Sequence, residues 1–203
     1  MAARQHSLFP LASSSQLPEG FRYFPDAVTP DDESRLLAEI AHLPFKEFQF
    51  HGFEGKRRVV SFGWRYDFGE HKALPADPIP IFLLETHRKL QAGSGFVLPD
   101  LTQVLVTEYA PGAPIGWHKD RPFFNDVMGL SLVSPCSFRL RKSLGEGKWQ
   151  RVSLSLEPRS AYFLSGPSRW EWEHSIPPLS MLRYSLTFRN LRRSPLRSGD
   201  KRS

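Results

Sequence analysis

His118 and Asp120 stand two residues apart at the end of the segment Tyr109-Ala110-Pro111-Gly112-Ala113-Pro114-Ile115-Gly116-Trp117-His118-Lys119-Asp120. On an extended segment, residues i and i+2 project to the same face, so an imidazole and a carboxylate there can converge on one ion. A third ligand must come from elsewhere. His174, in Trp172-Glu173-His174-Ser175-Ile176, sits near the start of another expected strand. Two histidines and one carboxylate form a facial triad suited to Fe(II), with coordination positions left open for a cosubstrate and oxygen. An isolated His-x-Asp is also explained by a surface histidine beside a turn carboxylate. Further along, Arg183 begins the run Arg183-Tyr184-Ser185-Leu186-Thr187-Phe188-Arg189. Alternation puts Arg183, Ser185, Thr187 and Arg189 on one face, with Leu182, Tyr184, Leu186 and Phe188 on the other. If the apolar set faces the core, the guanidiniums point into a barrel mouth or towards solvent. In a mouth, a guanidinium offers a bidentate fork for a carboxylate. A metal with open sites beside such a fork suits a 2-oxo dicarboxylate.

The elements that must position these groups are legible in outline. Gly20-Phe21-Arg22-Tyr23-Phe24 reads as a short aromatic strand. Thr29-Pro30-Asp31-Asp32 is a helix start: a capping hydroxyl, Pro in the first turn, then acids at the positive end of the dipole. Leu36, Leu37, Ile40 and Leu43 follow with helical spacing, and Pro44 ends the run. A second helix is expected over Ile81–Gln91, before Gly93-Ser94-Gly95. From residue 103 short β-rich runs recur between turn residues: Gln103–Tyr109, Val127–Val133, Cys136–Lys142, Arg151–Leu156, Ala161–Leu164 and Leu182–Phe188. Strands following two helices predict a mostly β fold with flanking helices, a sandwich or jelly roll.

Composition sets the class. A chain of 203 residues, 40% hydrophobic with sixteen Phe and five Trp, can bury one sizeable core. Its single cysteine, Cys136, excludes an internal disulfide and any zinc site built on several cysteines. No apolar run approaches the ~18 residues of a membrane helix, and the first residues lack the apolar core of a secretory signal. A cytoplasmic monomer without membrane contact is the expectation. The 27 Lys and Arg against 21 Asp and Glu give +6. Residues 192–203 hold five of those cations and one acid, so the remaining chain carries only +2.

The metal and arginine motifs are in the order and spacing of a known family. Tyr109-Ala110-Pro111-Gly112-Ala113 leading to His118-x-Asp120, Gly166-Pro167-Ser168-Arg169 before His174, and Arg183-Tyr184-x-Leu186-Thr187-Phe188-Arg189 resemble the AlkB family of Fe(II)- and 2-oxoglutarate-dependent oxygenases. The resemblance implies a double-stranded β-helix (jelly-roll) core. It implies iron on His118, Asp120 and His174, with 2-oxoglutarate and O2 as cosubstrates. It assigns Arg183 and Tyr109 to the distal carboxylate of 2-oxoglutarate and Arg189 to its keto-acid end. Thr107 stands where the family often has Asn. The implied reaction is oxidative dealkylation of N-alkylated bases, in DNA rather than RNA, releasing formaldehyde, succinate and CO2. RNA, a protein side chain or a small molecule is the alternative target. No protein general acid or base is implied.

Three further segments concern partners. Lys56-Arg57-Arg58-Val59-Val60-Ser61-Phe62-Gly63-Trp64-Arg65-Tyr66 resembles the family's nucleotide-recognition segment. Arg57, Phe62, Trp64 and Tyr66, with His118 as a stacking face, are then candidate base contacts. The three aromatics alternate onto one face and fit a core equally well. The basic run Arg139-x-Arg141-Lys142 with Lys148 and Arg151 reads either as a backbone contact or as a charge-guarded strand edge. Gln5-His6-Ser7-Leu8-Phe9 resembles the peptide by which bacterial repair proteins dock on the sliding clamp, with Gln5, Leu8 and Phe9 as anchors. The expected organisation is an arm over 1–18 and one dioxygenase domain over 19–191, followed by a basic tail over 192–203. Within the domain, 19–102 forms a helical buttress and lid and 103–191 the jelly-roll core.

Overall fold

A computed structural model describes residues 17–50, 53–67 and 72–192. The chain begins with strand β1 (Phe21–Phe24), helix α1 (Pro30–Ile40) and strands β2 (Lys46–Phe50) and β3 (Phe53–Phe62). A small hairpin of β4 (Trp64–Asp67) and β5 (Lys72–Pro75) precedes helix α2 (Ile81–Ser94). Strands β6 (Leu101–Tyr109), β7 (Ile115–His118), β8 (Phe124–Leu132), β9 (Cys136–Gly145), β10 (Lys148–Leu156) and β11 (Ala161–Leu164) follow. The short helix α3 (Gly166–Trp170) leads into β12 (Glu173–Ile176) and β13 (Arg183–Leu191).

Among the described residues the strands form a seven-stranded sheet, β1-β11-β8-β13-β6-β3-β2, facing a four-stranded sheet, β10-β9-β12-β7. This is the expected jelly roll with flanking helices. The large sheet is buried on both sides, which explains its near-continuous apolar strands. On one side Val104, Val106, Met128, Leu130, Leu186 and Phe188 pack against Leu36 and Ile40 of α1 and Leu83 and Leu90 of α2. Between the sheets lies a second core that includes Phe21, Tyr109, Phe138, Leu140, Tyr162 and Ile176.

The start of α1 forms as its sequence predicts. Thr29 Oγ1 accepts from the Asp32 N–H at 3.1 Å, and Asp32 Oδ2 accepts from the Thr29 N–H at 2.9 Å. Lys89 of α2 closes on the same carboxylate, and these donors hold Asp32 well below the usual carboxylate range. The helix ends at Ile40, earlier than Pro44 requires, although Leu43 still packs on the core. Strands β2 and β3 are the main departure from the sequence reading. Part of the expected lid extends the large sheet, where β3 pairs with β6 from Arg57↔Tyr109 to Phe62↔Val104.

One packing constraint is sharp. Gly129 of β8 lies under the ring of Tyr162, and a Cβ there would fall 2.2 Å from Tyr162 Cε1. Gly129→Ala therefore costs about 1–3 kcal/mol by overpacking. Urea unfolding monitored by tryptophan fluorescence measures it; an unchanged midpoint would show that the ring moves freely.

Candidate active site

The site arises where the chain crosses between sheets. Strand β6 ends at Tyr109, and Pro111-Gly112 turns the chain into β7 of the opposite sheet. Gly112 has φ 82°, a left-handed value that favours glycine, and its N–H donates to Leu179 O at 2.6 Å. Strand β7 pairs with β12 so that His118 faces His174, with ring centroids 4.2 Å apart. Asp120 follows just past the strand, its Oδ2 3.7 Å from His174 Nε2. The structure thus brings His118, Asp120 and His174 together. Among the described residues no group of three such donors is already closed around a point at metal-ligand spacing.

The chemistry of the three donors nevertheless fits a divalent ion. His118 Nδ1 lies 2.8 Å from Gly116 O; with the proton on Nδ1 it donates there, which leaves Nε2 with its lone pair free. Burial and the adjacent His118 push His174 down to about 3, so its ring is neutral. Burial opposes the charge on Asp120, but Arg189, both histidines and Arg169 outweigh it and hold the carboxyl well below its ordinary value. One carboxylate and two neutral imidazoles are the protonation state that metal binding requires.

Arg189 is tied to the carboxylate of Asp120. Its Nε donates to Asp120 Oδ1 at 2.9 Å, its Nη2 also contacts that oxygen, and its Nη1 donates to Gln103 Oε1 at 2.9 Å. It positions the carboxylate of Asp120, and of its five N–H groups one on each terminal nitrogen is left for a further acceptor. Gln103 in turn donates to Ser61 Oγ and Trp64 O, tying Asp120 to the turn between β3 and β4.

Arg183 behaves differently. It is 1% exposed, sits opposite Tyr109 in register and lies 5.2 Å from that ring's centroid. Its Nε donates to Ser131 Oγ at 3.0 Å, whereas Nη1 has no hydrogen-bond partner among the described residues. A buried guanidinium nitrogen without an acceptor is costly, and a ligand carboxylate would satisfy it. Tyr109, Thr107, Ser185 and Tyr162 form the adjacent wall of a cavity of ≈ 1390 Å³ that also includes His118, Asp120 and His174. That volume exceeds the roughly 300–1,000 Å³ of ordinary ligand pockets, leaving room for two reactants.

On the outer wall only part of the expected base-contact set assembles. Arg57 lines the cavity, 5.9 Å from the Tyr109 ring centroid. Phe62 is 5% exposed in the helix-side core, because it pairs with Val104 on the side of β6 that packs against the helices. It is no base contact. Arg58 shares that side and spends its guanidinium on Glu108 through two 2.7 Å bonds. Gly63, at φ 76°, breaks the strand, so Phe62 and Trp64 belong to different strands. Trp64 is absent from the cavity wall; Tyr66 is placed only by its backbone pairing with Ala73. Gln5, Leu8 and Phe9 lie outside the described residues.

Sequence reasoning gave Arg169 no role of its own. It is 2% exposed and donates to the carbonyls of Arg121 (2.7 Å), Phe124 (2.8 Å) and Asn125 (2.7 Å), clamping the loop that follows Asp120. Only its place before His174 in the motif hinted at it. Cys136, left undecided by the sequence, is buried, and burial pushes its thiol up.

A profile of the 2OG-Fe(II) oxygenase superfamily matches residues 20–189. The uncharacterized protein L905 of Acanthamoeba polyphaga mimivirus is 30% identical over 192 residues, covering 85% of either chain. The "Alkylated DNA repair protein ALKBH8 homolog" of Arabidopsis thaliana is 28% identical over 182 residues, 78% of this chain and 51% of the relative. The chain thus spans about half of that protein's length. The solved structure of OsALKBH1 superposes with a TM-score of 0.67 at 19% identity, over 86% of this chain and 98% of that one, a likeness of fold.

The buried histidines predict a pH response. His174, His118 and, in the helical core, His87 are all held below 6.5 in the folded chain, mainly by burial. Below pH 6.5 the unfolded chain therefore binds more protons than the folded one, and stability falls with pH. Metal-free protein should lose stability steadily between about pH 6.5 and the ~3 reached by His174. Denaturant midpoints across that window check it; stability that rises on acidification contradicts it.

Proposed function

Because the chain belongs to the 2OG-Fe(II) oxygenase superfamily, and is AlkB-like within it, we propose that it removes N-alkyl groups from bases in DNA. The chain is a dioxygenase that uses Fe(II), 2-oxoglutarate and O2. His118, Asp120 and His174 are the residues we assign to the iron. Bound there with its cosubstrates, iron supplies the oxidation of an N-methyl carbon, and the products are formaldehyde, succinate, CO2 and the unmodified base.

The observation that carries this assignment is the orphaned Nη1 of Arg183 next to Tyr109, whose side chain shares a cavity with the three donors. An inert metal site has no need of a buried carboxylate receptor. Arg183 would hold the distal carboxylate of 2-oxoglutarate, Tyr109 would donate its hydroxyl to the same group, and Thr107 would hydrogen-bond nearby. Arg189 and Arg169 keep Asp120 ionised and its loop fixed. No side chain in this scheme acts as a general acid or base.

The nucleic-acid part of the reading rests on the mouth. Lys46, Arg57, Arg65, Lys119 and Arg121 line it against Glu47 and Asp77, a cationic excess that suits phosphodiesters. A methylated base inside a duplex must be turned out to reach the cavity. Its ring can lie on the face of His118 while Arg57 holds a flanking phosphate. The name of the plant relative, an alkylated DNA repair protein, supports the DNA reading, and relatives named as tRNA methyltransferases keep RNA in the test.

Formaldehyde release from N-methylated single-stranded DNA, duplex DNA, RNA and methyl-lysine peptides tests the reading. Turnover on DNA is expected, and it is abolished in His118→Ala, Asp120→Ala and His174→Ala. Release from RNA alone would move the target to RNA, and release from peptides alone would overturn a nucleic-acid substrate.

A further inference from the structure

The four-stranded sheet turns one side to the cavity and the other to solvent, and the two sides differ in chemistry. Inward, β9 and β10 place Phe138, Leu140, Val152, Leu154 and Leu156 on the core between the sheets. Outward, the register aligns Ser137 with Ser155, Arg139 with Ser153, Arg141 with Arg151, and Ser143 with Trp149. Glu173 and Ser175 of β12 extend the rows of Arg141 and Arg139. Trp117 of β7 completes the face, with the guanidiniums of Arg139 and Arg141 5.1 and 4.4 Å from its ring centroid.

Three features of this face need a reason. Arg141 is sandwiched between two partly exposed indoles, Trp117 and, at 4.1 Å, Trp149. Arg141 and Arg151 stand directly opposite each other across β9 and β10, and like charges in that position are destabilising. Glu173 is the only carboxylate in these rows, and it binds Arg141 Nε at 2.6 Å. Arg139 Nε is held by Ser175 Oγ at 3.1 Å. Among the described residues, the hydrogen bonds of both arginines use Nε, so their terminal nitrogens remain for an acceptor. Arg151 is exposed and has no acidic partner among the described residues. A charge-guarded edge would explain β10, but Arg139 and Trp117 lie on interior and opposite strands.

The geometry points to a second nucleic-acid contact: this face receives the phosphates of single-stranded DNA flanking a base held in the catalytic cavity. The inference rests on the DNA reading above and adds a surface to it. Trp117 and His118 are chain neighbours on β7, so the outer face begins one residue away from the histidine that lines the cavity. From β7 to β10 the face is three strand spacings wide, about 14 Å. Forked guanidiniums suit phosphate oxygens. Partly exposed indoles suit unpaired bases, which selects a single strand over a duplex.

Binding of fluorescent single-stranded DNA to the full chain, followed by anisotropy over a salt series, tests the face. An oligomer of about 16 nucleotides reaches beyond the cavity. In the Arg139→Gln/Arg151→Gln variant the slope of log affinity against log salt should become shallower by about 1.4, for two phosphates at about 0.7 each. Arg139→Lys/Arg151→Lys should keep the wild-type slope. Trp149→Ala should weaken binding about tenfold with the slope unchanged. Should the double Gln variant fold poorly, Arg151→Gln alone, at its exposed site, should shift the slope by about 0.7. An unchanged slope in the Gln variants, with wild-type binding intact, overturns the face and leaves dealkylation standing. Failure of the wild-type chain to bind any single-stranded DNA overturns the face, while formaldehyde release on the substrate panel decides dealkylation separately.

Discussion

A buried carboxylate that must stay charged organises this molecule. The side chain of Asp120 is 6% exposed, and a lone carboxylate in such a place would take up a proton. Arg189 from β13 supplies the nearest positive charge, and Gln103 from β6 holds that guanidinium in turn. Arg169 adds charge from α3 while gripping the loop behind the carboxylate. Removing either arginine leaves a buried charge less compensated, a large penalty in a folded protein. The meeting of β6, β13, α3 and the loop after β7 is therefore set by one ionised group.

Arg183 and Arg189 lie on the same strand face but are satisfied differently. Every guanidinium nitrogen of Arg189 meets a protein acceptor, whereas the Nη1 of Arg183 has none among the described residues. The contrast separates a residue that builds the site from one that awaits a ligand. Spacing alone could not make that distinction, because it depends on where Asp120 lands after the turn at Gly112.

Much of the fold was legible because its signals were local. The capping box at Thr29, the alternation of β10 and the polar face of β13 all follow from neighbouring residue types. The proximity of the candidate ligands was legible in part: His118 and Asp120 stand two residues apart, and family spacing supplied His174. What the sequence did not yield depends on long-range pairing. Phe62 alternates with Trp64 and Tyr66 on paper, but Gly63 breaks the strand and the pairing with β6 turns Phe62 towards the helices. Arg58, adjacent to the cavity-lining Arg57, is drawn to the opposite side by Glu108.

The central claim is that Arg183 receives the carboxylate of a cosubstrate bound at the iron. Anaerobic titration of the Fe(II)-loaded chain with 2-oxoglutarate, followed by charge-transfer absorption and calorimetry, tests it most directly. Wild-type protein should develop the band. Arg183→Met should keep its metal affinity while losing at least about tenfold in 2-oxoglutarate affinity, the scale of a lost charged hydrogen bond. No band in the wild type, or equal 2-oxoglutarate affinity in the variant, would contradict the account.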